Sequence, residues 1–428
     1  MITFWIGRNP TIWICDAWTA SEILDKRAGV YADRPRMIVF GELSTKQNNL
    51  VTMYYGDRWR VHRKITHIGV GLQQVSELQW IVFFSLRYSQ VRSYRGYQDN
   101  ESKIVAYDLL TDPENYVLQF ERYAASVVSI IGFGRRITSI DDPLIREVIM
   151  IMHIAAELNV PGKSFPMLME TFPFLSKLPR AIAPWKKAVD GYVNGRGFYY
   201  ALADEANRIS TFDDIFAKKL FAEAPKYNLR YEEIANISGN LFGAGSDTSS
   251  STLITFVLAC CAFPEVLPAA WEELDRVVGQ YRSPQIDDEP NLPYINAFVK
   301  EVFRWRSVAI IGGQPHAPTQ DDNYKVYLIP KGTWVQGNVW AIHHHEREFP
   351  DPDRFNPRRF FKDSPDHRPF PNEKGYMTFG WGRRVCSGQG LAEQGTWITV
   401  ARLLWAFRIK KALDSEGKEI PVDIFNYT

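Results

Sequence analysis

The chain of 428 residues carries 50 basic and 49 acidic side chains, a formal net charge of +1, with 45% hydrophobic and 14% aromatic residues. That balance gives no basis for a nucleic-acid partner, so any charged docking surface must be local. Four cysteines, at 15, 260, 261 and 386, are too few and too unevenly placed for a disulfide framework, and no apolar run approaches the ~18 residues of a membrane span.

In chain order, Thr3 to Ile6 and Thr11 to Cys15 predict two short strands around the turn Gly7-Arg8-Asn9-Pro10. The opening residues read as strand and not as a signal peptide, because Arg8 and Asn9 follow them and no small-residue cleavage site does. A helix is expected from Trp18 to about Ala28, capped by Thr19 or Ser21. From 100 to about 280, apolar residues return every three or four positions, a helical pattern. Its breaks fall at Asp112-Pro113, Asp142-Pro143, Val160-Pro161-Gly162, Phe174 and Leu178 to Trp185. Glu232 to Ala262 predicts one helix of about eight turns, stopped by Pro264 and long enough to thread the centre of a fold. Beyond 320 the pattern changes to short strands, Tyr324 to Ile329 and Thr333 to Val335, then Pro-rich loops up to 380. A final helix follows Cys386, with Trp397, Val400, Leu403, Leu404 and Phe407 on one apolar stripe. No repeat or low-complexity tract interrupts the chain. The expected fold class is mainly α with small β-sheets, in one domain spanning 1–428.

The chemistry concentrates in Phe379-Gly380-Trp381-Gly382-Arg383-Arg384-Val385-Cys386-Ser387-Gly388. Its glycines let the backbone turn tightly and a flat cofactor approach closely. Cys386 falls at the start of the last helix, where free N–H groups and the helix dipole favour thiolate over thiol. A thiolate is the strong donor that an iron-oxygen unit needs for O–O cleavage; Phe379 can cover the sulfur and Arg384 can pair a haem propionate. Taken alone, Cys386 reads as one more buried thiol, the commonest fate of a lone cysteine. Midway along the long helix, Ala244-Gly245-Ser246-Asp247-Thr248 sets a hydroxyl beside a carboxylate, the parts of a proton relay, and Gly245 leaves room for a diatomic ligand. The bland reading of Thr248 is back-bonding to its own helix. Glu301 and Arg304 share a helical face at i and i+3, a spacing usually found in solvated surface pairs.

The ordered pattern around Cys386, namely Phe, two residues, Gly, one, Arg, one, Cys, one, Gly, resembles the signature of the cytochrome P-450 family. The resemblance runs along essentially the whole chain and is nearest to fungal members. It implies a cytochrome P-450 fold, haem b ligated by Cys386, and Thr248 holding oxygen while Asp247 supplies protons. Further, it implies Ala244 and Gly245 against the haem, and a buried cluster of Glu301 and Arg304 with Arg359 of Pro357-Arg358-Arg359-Phe360, where Arg358 replaces the family's common Glu. Trp59 and Arg63, of the Trp-three-Arg element, and His316 would reach the propionates. The stretch before His316, Ile310-Ile311-Gly312-Gly313, departs from the family's proline-containing pattern. The implied activity is insertion of one atom of O2 into a lipophilic substrate, with electrons from NADPH through NADPH-cytochrome P-450 reductase and with cytochrome b5 as an additional donor. Arg60, Arg63, Lys64, Arg383 and Arg384 would form a basic face for an acidic donor.

The expected state is a monomer. Family members of this type sit on the endoplasmic reticulum membrane, facing the cytosol, through an N-terminal anchor and a Pro-rich hinge, whereas this sequence reads as starting inside the first sheet. They also continue into a C-terminal hairpin, so the chain reads as truncated at both ends. Competing readings are haem-thiolate isomerisation or peroxide chemistry, against which the Asp247-Thr248 pair argues, and an inactive haem-binding product. His343-His344-His345 is not expected to bind metal, because consecutive residues on an extended segment point apart and no Cys or carboxylate spacing completes a site. Residues 75–90 interrupt the family's flow and read as a retained intron or an apolar insertion.

Overall fold

The structure, a computed structural model, describes residues 1–70, 94–159, 164–209 and 215–425. Strands β1 (Ile2–Ile6) and β2 (Asn9–Ile14) pair antiparallel, Ile2 opposite Trp13 and Ile6 opposite Asn9. The turn between them is therefore only Gly7-Arg8. Pro10 already lies in β2, near its beginning, where the missing N–H is tolerated. The predicted helix at Trp18 is shorter and wider than expected. α1 covers Ala17–Ala20, and Ser21–Lys26 continues as a π-helix. Its cap is Asp16, whose carboxylate accepts the Thr19 N–H at 2.9 Å, so neither Thr19 nor Ser21 caps it.

Helices α2 (Asp57–Val70), α3 (Arg95–Thr111), α4 (Tyr116–Phe133) and α5 (Pro143–Asn159) follow. The breaks at Asp112-Pro113 and Asp142-Pro143 fall at helix ends, as proline chemistry requires. Next come α6 (Ser164–Thr171), α7 (Trp185–Gly195), α8 (Gly197–Arg208) and α9 (Phe216–Tyr227). The long helix α10 runs from Tyr231 to Ala262; Glu233 bonds back to the Arg230 N–H at 2.9 Å at one end, and Pro264 follows the other. α11 (Leu267–Val277) and α12 (Pro293–Trp305) complete the helical part before the sheets.

The segment predicted as one strand from Tyr324 to Ile329 is instead a tight hairpin, β3 (Asp322–Tyr324) against β4 (Tyr327–Ile329). Lys325 turns at φ 55° and Val326 is 89% exposed, so their apolar neighbours misled the strand reading. Strand β5 (Trp334–Gly337) runs parallel to β2, Ile12 opposite Val335, and α13 (Val339–His343) follows it. The last helix, α14 (Gln389–Ala406), does not carry a single apolar stripe. It is buried on all sides from Gly395 to Leu404, and Phe407 lies just past its end.

Two cores result. The larger one gathers α4, α10, α12 and α14, including Phe242, Phe256, Phe298 and Trp397. A smaller one packs the sheet and the α1 region, with Ile12, Ile23, Val335 and Trp381. The loop that carries Cys386 joins them. Trp381 is embedded in the smaller core, while Phe379 packs on the larger one through Phe303, ring centroids 5.2 Å apart.

Candidate active site around Cys386

The loop is fixed before it reaches the sulfur. Trp381 donates its indole N–H to Met377 Sδ at 3.1 Å, and the Cys386 N–H donates to the Phe379 carbonyl at 2.8 Å, closing the turn. Gly380 sits at φ +76° with no atom within 4 Å of where a Cβ would stand, whereas a Cβ on Gly382 would collide with Leu24 O and Ala28. The open side at Gly380 suits a flat group; the tight side at Gly382 is set by the π-helical segment. Cys386 precedes α14 by three residues, and the N–H groups of Gly388 and Gln389 point to its sulfur.

The Cys386 side chain has accessible surface, yet protein surrounds it closely enough that burial pushes its pKa up. Together these facts put the sulfur on the wall of an internal space. The Gly388 N–H and the Arg63 guanidinium pull the pKa down, but burial outweighs them. The helix terminus alone therefore does not make Cys386 a thiolate, and coordination to a cation would supply the missing stabilisation.

Cations crowd this region. Arg384 stacks on Trp59 at 4.3 Å and donates to the carbonyls of Ala32 at 2.6 Å, Leu50 at 3.2 Å and Met53 at 2.9 Å. Burial, with Arg34 and Arg63 nearby, pushes its pKa down to about 8. Arg34, fully buried and bonded to the carbonyls of Val51, Gln314 and Pro315, is pushed down to about 9 by burial. Arg63 reaches Ser387 Oγ at 2.6 Å. His316 is buried and pushed down to about 3, chiefly by burial and then by Arg34. Its Nδ1 lies 2.8 Å from the Tyr31 carbonyl, so the neutral ring must donate there and keeps Nε2 as an acceptor. Among the described residues, Asp33 is the one carboxylate whose charge offsets that of Arg34 and Arg384, and none offsets Arg63, so the three guanidiniums form a site short of negative charge. A cofactor bearing two carboxylates fits that donor set, and its charge would favour the protonated, donating form of His316. Trp59, by contrast, spends its indole N–H on the Leu50 carbonyl at 3.2 Å.

On α10, Ala244 and Thr248 are exposed although the helix around them is buried at Phe242, Gly243, Ser246 and Ser250. Four residues apart, they share one face, which is the accessible one on this stretch of α10. Thr248 Oγ1 donates to the Ala244 carbonyl at 2.6 Å, so the back-bond is present and the oxygen keeps its acceptor lone pairs. A Cβ on Gly245 would collide with Val128 on α4: the glycine admits the neighbouring helix. Asp247 is half-buried on a different side of α10, its pKa raised by burial and lowered by His153.

Glu301, Arg304 and Arg359 come together in the core. Glu301 accepts from Arg304 through two bonds of 2.7 Å and from Arg359 Nε at 3.0 Å, and Arg304 donates on to the carbonyls of His343 and Pro352 at 2.9 Å. Arg358 is exposed and takes no part. The basic face needs correcting. Arg63 and Arg384 point inward as described, which leaves Arg60, Lys64 and Arg383 exposed, Arg60 and Arg383 against the Tyr55 ring. The three consecutive histidines diverge. His343 accepts the Met377 N–H, His344 stacks on Trp340, and His345 faces Glu348. Residues 75–90 lie outside the described residues. Sequence reasoning missed the role of Arg34, two of whose three carbonyl partners are about 280 positions away, and that of Ser387; no spacing rule signals either.

Residues 1–423 match the family model described as Cytochrome P450. The chain is 34% identical over 96% of its length to the cytochrome P450 monooxygenase verL of Clonostachys rogersoniana, covering 75% of that protein. It is 34% identical over 98% of its length to the cytochrome P450 monooxygenase polD of Polytolypa hystricis, covering 78% of it. A zebra fish cytochrome P450 solved with abiraterone shares the fold, with a TM-score of 0.70 at 22% identity over 94% of this chain and 87% of that one.

Proposed function

The chain belongs to the cytochrome P450 family of monooxygenases, a haem-dependent family, and on that premise we propose that its single catalytic domain holds haem b through Cys386 and oxidises a lipophilic organic molecule. When bound, haem supplies reductive activation of O2 and transfer of one oxygen atom to a C–H or C=C bond. The rest of the mechanism lies with this chain's own side chains. Cys386 Sγ is the donor atom, steadied by the Gly388 and Gln389 N–H groups and shielded by the Phe379 loop. Arg63, Arg384 and a protonated His316 hold the two carboxylates, with Trp59 stacked behind Arg384. Ala244 walls the oxygen side while Gly245, on the neighbouring face, lets α4 pack close behind it; the Thr248 hydroxyl accepts a hydrogen bond on that side, and Asp247 moves protons toward it. Glu301, Arg304 and Arg359 hold the sulfur loop indirectly, since α12 carries Phe303, whose ring supports Phe379 and whose carbonyl accepts from Thr378 at 2.7 Å.

The observation that carries this reading is an accessible sulfur closely surrounded by protein, beside a buried cluster of cations short of counter-charge. Electrons from NADPH would arrive through a reductase at the surface of Arg60, Lys64 and Arg383. Among the described residues no single helix is long and apolar enough to cross a membrane. Contact with a membrane surface is supported instead by Trp5, Leu168, Phe174 and Ile182, all exposed, with Arg8 stacked on Phe172 bringing the first hairpin beside this segment. The test is Cys386→Ala in haem-reconstituted protein. The wild type is expected to give the red-shifted thiolate Soret band in reduced, carbon monoxide-treated form, and the variant to lose it. Retention of that band in the variant would sink the reading. A panel of lipophilic compounds scored by spin-state shift then addresses the substrate.

A further inference from the structure

Beside Asp247, helices α4, α5 and α10 meet. Met152 on α5 puts Sδ 3.0 Å from where a Cβ on Gly243 would stand. Asp247 lies one turn along from Gly243, on the same face of α10. His153, next to Met152, is exposed; Glu121 on α4 and Asp247 are half-buried. Glu121 and His153 both line an open groove of about 620 Å³ between α4 and α5, whose remaining walls are largely Ile145, Ile149 and Ile154. The charged groups that face this region are Glu121 from α4, Arg146, His153 and Glu157 from α5, Asp141 from the turn before it, and Asp247 from α10. Arg146 is turned to Asp141 at 3.8 Å.

Among the described residues, the side chains of Glu121, His153 and Asp247 form no hydrogen bond or ion pair that would give them a structural task. They do feel one another's charge. Burial raises the pKa of Glu121, Asp247 raises it further, and His153 lowers it; His153 also lowers that of Asp247. An exposed imidazole and a half-buried carboxyl on the groove, with a second half-buried carboxyl beside them on α10, are proton-carrying groups set between water and the helix interior.

We propose that Glu121 and His153 are the outer positioning pair of the proton route to Asp247, collecting protons from water in the groove between α4 and α5. A proton passes from hydronium to the imidazole, on to the Glu121 carboxylate and then to Asp247, each group returning to its starting form, so that only the proton has moved. The inference rests on Asp247 delivering protons, the reading given above.

The test uses the haem-loaded enzyme with Glu121→Gln, His153→Gln and Asp247→Asn. In the resting ferric protein, infrared titration follows the Asp247 carboxyl band, identified by its loss in Asp247→Asn. His153→Gln should let that band persist to higher pH, because a neighbouring positive charge has gone, and Glu121→Gln should move it the other way. In reductase-coupled NADPH oxidation without added organic substrate, each outer variant should slow turnover by about tenfold, below the effect of Asp247→Asn, and enlarge the D2O solvent isotope effect. His153 is exposed, so its variant folds even if Glu121→Gln does not. Outer variants that leave both the titration and the isotope effect at wild-type values, while Asp247→Asn is slow, overturn this proposal alone. A wild-type rate in Asp247→Asn overturns the reading beneath it as well.

Discussion

Replacing Glu301 by Gln removes one negative charge and almost no volume. In the folded protein that carboxylate accepts from Arg304 at 2.7 Å twice, from Arg359 at 3.0 Å and from the Asn356 N–H at 2.9 Å, with both the Glu301 and Arg304 side chains fully buried. The amide presents an NH2 group where an oxygen accepted, and it leaves two buried guanidiniums with no counter-charge. Breaking such a cluster by removing one partner costs about 3–5 kcal/mol. With an unfolding entropy of about 2.1 cal/mol/K per residue, a chain this long loses about 1 °C per kcal/mol, so the melting temperature should fall by about 3–6 °C. Thermal unfolding followed by far-UV circular dichroism and by haem absorbance reads both the fold and the cysteine loop. Haem should be lost first, because Phe303 on the same helix supports Phe379. Glu223→Gln, which breaks the exposed pair with Lys226, is the control and should leave the melt unchanged. A Glu301→Gln melt indistinguishable from this control would refute the reasoning that the cluster is held by its charge.

Gly245→Ala should destabilise the protein by about 1–3 kcal/mol through collision with Val128, and Val128→Ala in the same chain should restore most of the loss in denaturant titrations. Glu170, which accepts the Ile38 N–H at 2.5 Å, has its pKa raised by burial to about 7. A carboxyl raised on folding contributes stability below its unfolded pKa and loses it as pH rises through the folded value. Stability should therefore fall between about pH 5 and 8 by at most about 3 kcal/mol, and Glu170→Gln should flatten that slope in urea titrations at several pH values. Arg384→Gln should weaken haem retention by about ten- to a hundredfold, the worth of a hydrogen bond to a charged group. The haem-free protein should be destabilised as well, since Arg384 donates to the carbonyls of Ala32, Leu50 and Met53, with relief of repulsion from Arg34 and Arg63 offsetting part of that loss; haem transfer to a scavenger protein and apoprotein melts measure the two separately.

Local chemistry wrote much of this molecule into its sequence. The length of α10 followed from apolar recurrence ended by Pro264, and observed bounds of Tyr231–Ala262 differ from the expected ones by a single residue. The cysteine loop was legible because a tight turn, a thiol and a following helix each need particular residues at fixed spacing. Glu301 and Arg304 could be paired, since i and i+3 on a helix are neighbours whatever surrounds them. The errors share one origin. The Tyr324–Ile329 run looked like a strand because apolar residues alternate there, yet it turns at Lys325 and leaves Val326 in water. The expected stripe on α14 presumed one wet face, whereas packing closed around the whole helix. Arg63 and Arg384 were read as surface charges as well as cofactor contacts, and the folded chain turns both inward, beside an Arg34 that nothing local marks. The sequence by itself determined which residues can ligate, bend and cap, because those properties reside in one side chain and its near neighbours. Only the tertiary structure decided which charges face inward, how many faces of a helix are buried and which distant groups share a groove, because burial and electrostatics depend on what the rest of the chain brings within a few ångströms.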